Sequence, residues 1–365
     1  MTTGRTPMIP TGPFDEWSDD VRGALGRAVA HGMPEGSLAL YARWWQLETW
    51  LRELVYVELR ARYGAKWIDE VKAALGRQRQ DAEFKHMSTA DSENPLAYLD
   101  YSQLLIVVEA NWEQMKYALL ERKSWEGRQG ELMRIRHRIG HVRKPHQDDL
   151  GRLEQTLRDL ERGAFIACAS YNSRRRPDLE ECGDPVSKGW IGGAHPTARR
   201  LIRHAEIQYG VSLEVDVSRR PWATWPDSLE KAEGIFWHAE FYLRDRILDF
   251  RALWNQIKGI SPIIVHVLAS DPHVFKVTFS AVDDPGVISD AIGACFDSVL
   301  HCSRPRSQGL GLSGMSEGEF RQWGVRTASI DYRVMGPSGW STVDETTIPI
   351  SMFASGGGVE ILPNW

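Results

Sequence analysis

From about residue 38 to residue 63 the apolar residues Trp44, Leu47, Leu51, Leu54, Val55 and Leu59 recur at helical spacing. That period gathers them on one face of an α-helix, whereas a strand would send alternate side chains to opposite faces. Gly64 follows as a C-terminal cap. A second stripe runs through Tyr98, Tyr101, Leu104, Leu105, Val108, Trp112, Met115 and Leu119, behind an Asn94 cap and Pro95 at the first helical position. A third helix is expected from about Glu126 to Arg143, ended by Pro145. A fourth uses Leu150, Leu153, Leu157 and Leu160, with Gly163 just past its end. Four helices with short connections after the second predict an antiparallel bundle over residues 38–165.

The flanks read differently. Residues 1–37 form an arm and a short helix whose face is Phe14, Trp17, Val21, Leu25 and Val29, broken by Gly32 and Pro34. A short helix is expected around Trp67–Leu75. Residues 166–196, with Arg174-Arg175-Arg176-Pro177 and Gly192-Gly193, read as a linker. Residues 197–365 mix periods: a helix near 197–209, an alternating strand at 211–217, a long helix at about 227–257, a hairpin (263–268 with 274–280) and a helix at about 286–301. Final strands are expected near 325–335, 346–353 and 358–362. The fold class is therefore α+β multidomain: an all-α four-helix bundle, then an α+β domain with a mixed or antiparallel sheet.

Charge is distributed unevenly. The chain of 365 residues carries a net charge of −5, so it has no general attraction to polyanions. Between Arg122 and His146, however, eight Lys or Arg (122, 123, 128, 134, 136, 138, 143, 144) face two acids (Glu126, Glu131), a local charge of +6. Within it lies Arg136-His137-Arg138-Ile139-Gly140-His141. Arg136 supplies a planar permanent cation that fits a phosphate, and His141 a proton that moves near neutral pH. Five residues apart, they can converge on one ligand across roughly 1.4 turns. The pairing points to phosphodiester chemistry. A second Arg-x4-His, Arg199 with His204, lacks a preceding helical bundle and reads as a decoy.

Three ordered segments resemble the HEPN domains, helical bundles with an Arg-x4-6-His motif. They are Trp45–Gly64, Pro95–Met115 and the motif Arg136–His141. The first two are similar to a subfamily that includes a eukaryotic messenger-RNA-surveillance endoribonuclease and many bacterial relatives. The resemblance covers about residues 38–165. It implies a metal-independent endoribonuclease that works as a homodimer, the motif helices of two subunits meeting in one cleft. His141 would be the general acid or base, Arg136 would hold the phosphate, and His137 would orient Arg136 or touch RNA. Arg134, Arg138, Arg143 and Lys144 would grip the RNA backbone. Products would be a 2′,3′-cyclic phosphate and a 5′-hydroxyl. It further implies a role as a toxin or anti-phage effector. Some relatives carry a modifiable Tyr two residues after the motif His; here Arg143 stands there. Other HEPN domains are non-catalytic, so a dimerising RNA- or nucleotide-binding module regulated by the C-terminal domain is the competing reading.

Other motifs lead elsewhere or nowhere. Gly309–Gly314 matches G-x-G-x-x-G but follows a predicted helix rather than a strand. His238-Ala239-Glu240 lacks the P-C-x-x-C partner of a deaminase, and His238 is expected to pack on the long helix. Trp222, Trp225, Trp237 and Trp254 read as core aromatics in and beside that helix. Cys168, Cys182, Cys295 and Cys302 form no C-x-x-C pair, so neither a metal nor another cofactor is expected. No signal peptide or bilayer-length apolar run is seen, which predicts a cytoplasmic protein without membrane contact. An unknown ligand or regulator is expected at the C-terminal domain.

Overall fold

The computed structural model describes residues 18–83, 94–178, 183–305, 331–336, 340 and 352–353. The expected Phe14 and Trp17 face, the Gly309–Gly314 loop, Cys182 and the expected strands at 325–330, 346–351 and 358–362 lie outside those residues. The chain falls into two units, Met1–Leu47 with Glu126–Leu157, and Glu48–Trp125 with Arg158–Trp365. It is an α+β protein, with a helical N-terminal region followed by a mixed sheet.

The helical region contains α1 (Asp19–Ala30), α2 (Glu35–Tyr63), α3 (Lys72–Ala82), α4 (Tyr101–Ala110), α5 (Trp112–Met115), α6 (Arg122–Gly140) and α7 (Asp149–Asn172). Trp44, Leu47, Leu51, Leu54, Val55 and Leu59 of α2 are all buried, as their spacing demands. The second apolar stripe is not one helix. Asn94 caps only a 3-10 turn, Pro95–Tyr98, by accepting from the Leu96 N–H. Asp100 then makes a reciprocal capping box with Gln103 and starts α4 afresh. Asn111 ends it, donating to the Val107 carbonyl and accepting from Arg62 and Tyr63. Gly163 is not a helix end but an interior position of α7. A Cβ there would lie 2.2 Å from the Ala118 carbonyl oxygen, so glycine permits a close crossing.

The second half contains β1 (Arg174–Arg175), a π-helical turn (Ser187–Ile191), α8 (Arg199–Tyr209), β2 (Val211–Arg219), β3 (Ile235–Leu243), β4 (Arg246–Leu248), α9 (Phe250–Ile257), β5 (Ile264–Asp271), β6 (Val274–Ser280), α10 (Pro285–Cys302), β7 (Ser303–Pro305) and β8 (Val334–Met335). The six-stranded sheet has the order β1-β2-β3-β6-β5-β8. Its pairs are antiparallel except β5 with β8, which is parallel. The hairpin expected around residues 270–273 is β5–β6.

The long helix expected at 227–257 is overturned. That stretch holds β3, a central strand, then β4, and only α9 is helical. Eight of the nine β3 residues are buried, so the strand shows no alternation of apolar and polar positions. Its odd positions, Trp237, Ala239 and Phe241, join Phe275, Val277, Phe279 and the α10 residues Ile292 and Phe296 in one core. On the other face Phe236 and His238 meet Tyr171 of α7. The Tyr171 ring of α7 lies edge-on to His238, 5.4 Å away, and its hydroxyl is 2.9 Å from His266 Nδ1. His238 thus sits on a strand, bonded to Ser218 (2.6 Å) and Thr278 (3.0 Å).

One buried ion pair links the sheet to the helices α2 and α7 within the second unit. The fully buried Arg220 donates to Glu58 Oε1 of α2 (2.6 Å) and to the Ala167 carbonyl and Ser170 Oγ of α7 (both 3.1 Å). Glu58 also accepts from Tyr117 (2.6 Å) and from the Trp222 indole. Trp222 is therefore a hydrogen-bonding anchor. Trp237 and Trp254 are core as expected, while Trp225 is 39% exposed beneath the Arg175 guanidinium. Among the described residues no helix is long and apolar enough to cross a membrane. Cys168, Cys295 and Cys302 are free thiols, all buried.

Candidate functional site

In the first unit, α6 lays Leu132 and Ile135 into the core, together with Leu40, Trp44 and Leu47 of α2 and Leu153 and Leu157 of α7. Ion pairs hold the outer edges: Arg43 with Glu154 (3.4 Å) and Arg152 with Glu131 (2.6 Å). With that face committed to packing, the rest of the last two turns of α6 is left to Arg134, Arg136, His137 and Arg138, with Ile139 and Gly140.

The helix ends three residues earlier than Arg143. The Val142 N–H donates to the Ile139 carbonyl (3.2 Å) and the Arg143 N–H to the Arg138 carbonyl (2.8 Å). That pair of bonds is a Schellman motif. It requires a left-handed residue at Val142, whose φ is +53°. Glycine usually fills this place, because a β-branched side chain there is strained by about 1–2 kcal/mol. Val142 is also 94% exposed, so no packing compensates. Val142→Gly is expected to raise unfolding stability by roughly 1 kcal/mol, read as a higher urea midpoint with an unchanged slope. A lower midpoint would contradict the assignment of strain to this residue.

His141 is therefore the cap residue, exposed at the helix end. Its ring lies 5.9 Å from that of His137, one turn back. Arg136 points elsewhere: five residues of α-helix rotate it about 140° from His141. So α6 brings His137 and His141 together and sets Arg136 on another flank, half-buried. Among the described residues no side-chain hydrogen bond or ion pair engages Arg136 or His141, so both are unoccupied by structural duties. A Cβ on Gly140 would meet nothing within 4 Å, leaving open surface beside His141.

The four cations expected to grip RNA divide. Arg134, Arg143 and Lys144 are exposed. Arg138 donates through Nε to Asp149 Oδ2 (2.6 Å) and through its terminal nitrogen to Oδ1, a bidentate pair. Burial would raise the Asp149 carboxyl, but Arg138 and the His146 N–H outweigh it and hold it below its ordinary value. Asp149 starts α7, so this clamp fixes both ends of the loop that carries His141, Arg143 and Lys144. Sequence reasoning missed it, although an acid in the first turn of a helix, three residues after His146, was a visible capping signal. The second Arg-x4-His lies on α8, where His204 contacts Tyr209 instead. Among the described residues no group of three or more His, Cys, Asp or Glu is placed to hold a metal ion.

Residues 45–163 match the family model described as Swt1-like HEPN. The match contains Arg136, His137 and His141 and leaves out α1, the start of α2 and the whole sheet. No curated protein and no solved structure matches the chain.

Proposed function

Since residues 45–163 are a HEPN domain, which points to an RNA-related role, we propose that this protein is a metal-independent endoribonuclease acting as a homodimer. The observation that carries the reading is the end of α6: an Arg and a His of the family motif, neither used in the fold, on the most basic stretch of an acidic chain. The RNA 2′-hydroxyl attacks the adjacent phosphorus, and the 5′-oxygen leaves. His141 moves the proton as general acid or base. Arg136 binds the phosphate oxygens and stabilises the charge that develops on them. His137, one turn from His141, orients the motif groups or contacts RNA.

The 140° between Arg136 and His141 favours a dimer, because a second α6 antiparallel to the first supplies the missing group across the cleft. Arg134, Arg143 and Lys144 hold backbone phosphates, and Arg138, with two of its five N–H donors on Asp149, turns a remaining one to a further phosphate. The α+β half senses a ligand or regulator that releases activity, as a cytoplasmic toxin or anti-phage effector requires.

The test is product chemistry in EDTA. An RNA oligonucleotide should yield a 2′,3′-cyclic phosphate and a 5′-hydroxyl, and its 2′-deoxy counterpart should stay intact. RNA that is bound yet never cut would instead make the domain a binding module.

A further inference from the structure

A groove of about 840 Å³ opens beside the C-terminal end of α6. One wall is α6 and its loop, through Ile139, Arg143 and Lys144. The other is the corner between α1 and α2, which lies ahead of the HEPN match. That corner contributes the buried Leu40, the 54% exposed ring of Tyr41 and the imidazole of His31. Among the described lining residues none is Asp or Glu. The volume falls in the range of small-ligand sites, about 300–1,000 Å³.

An apolar cleft with an exposed aromatic ring and a cationic rim has the chemistry of a nucleotide site. The ring stacks on a base, and the rim meets the phosphate. We propose that the groove is a subsite for one unpaired nucleotide of the RNA strand, adjoining the phosphate handled at His141. His141 does not itself line the groove, but it lies in the chain between the lining residues Ile139 and Val142, which puts the groove at the same end of α6 as that imidazole. A paired base cannot enter, so single strands bind better than duplexes. The identity of the polymer rests on the ribonuclease reading; occupancy of the groove does not.

The experiment uses the full chain and a hexanucleotide made uncleavable by 2′-deoxy sugars at every position and carrying one 4-thio-2′-deoxyuridine. Light-induced crosslinks are expected on Tyr41 or within residues 138–145. Ser37→Trp, which fills the groove from the α2 side, should weaken binding about tenfold and remove the crosslink. Tyr41→Ala, an exposed change that the fold tolerates, should weaken it several-fold. Ile207→Ser, exposed on α8, should bind as the wild type does. Crosslinks elsewhere, unchanged binding by both groove variants, or loss of the dimer in Ser37→Trp with RNA binding intact would each overturn the subsite. If the wild type crosslinks through the groove yet cuts no RNA, the ribonuclease reading fails and the subsite stands.

Discussion

Arg220→Met is expected to lower the unfolding free energy by about 3–5 kcal/mol. The substitution keeps most of the side-chain volume, so packing loss is small. It removes what is, among the described residues, the only cation bonded to the buried Glu58 carboxylate. A carboxylate left there keeps its bonds from Tyr117 and Trp222 but loses its countercharge. The cost of an unpaired buried ion far exceeds that of a lost neutral hydrogen bond. Adding Glu58→Gln should recover part of the loss, because it removes the stranded charge. Full recovery is not expected, since Arg220 also satisfies the Ala167 carbonyl and Ser170. Urea unfolding of the two single variants and the double variant checks this. A single-variant cost below about 1 kcal/mol, the level of an exposed pair, would remove this network from the account of how the sheet is joined to α2 and α7.

The second large effect concerns chemistry. His141→Ala is expected to lower the RNA cleavage rate by about 10²–10⁴, the usual contribution of a general acid or base. Arg136→Ala should lower it by about 10²–10³, the scale for losing one donor to developing negative charge. Arg136→Lys should restore little, because an ammonium cannot bind two phosphate oxygens in the fork geometry of a guanidinium. Neither side chain makes a hydrogen bond or an ion pair among the described residues, so the unfolding midpoints should stay near that of the wild type. That combination, a lost rate with an intact fold, separates a chemical role from a structural one.

The helical half was legible where a single face is buried. The α2 stripe and the hairpin of β5 and β6 follow directly from spacing and turn residues, and Asn94 does cap, though only a 3-10 turn. The fold escaped reading where two demands share one segment. Strand β3 is buried on both faces, and its apolar residues at 236, 239 and 243, with Leu229 and Ala232 ahead of it, happen to step by three or four, so together they mimic a helix. The helix from Asn94 to Leu119 was broken by Asp100, whose capping bond is as local a signal as that of Asn94 but sits inside the apolar stripe. Gly163 reads as a stop and serves as a crossing point, which depends on Ala118, distant in sequence. At the site, the motif residues were legible from charge and spacing. Their arrangement was not, because a left-handed Val142 ends α6 before Pro145 does and pairs His141 with His137. The Arg138–Asp149 clamp and the α1–α2 wall of the groove belong to tertiary structure, and no short-range pattern announces them.

Cleavage of end-labelled RNA in EDTA by the wild type, Arg136→Ala and His141→Ala, at equal concentration and with equal unfolding midpoints, tests the central claim most directly. The account predicts cleavage by the wild type and its loss, by at least about a hundredfold, in both variants. Cleavage that survives in both would place the chemistry outside the end of α6 and contradict the account.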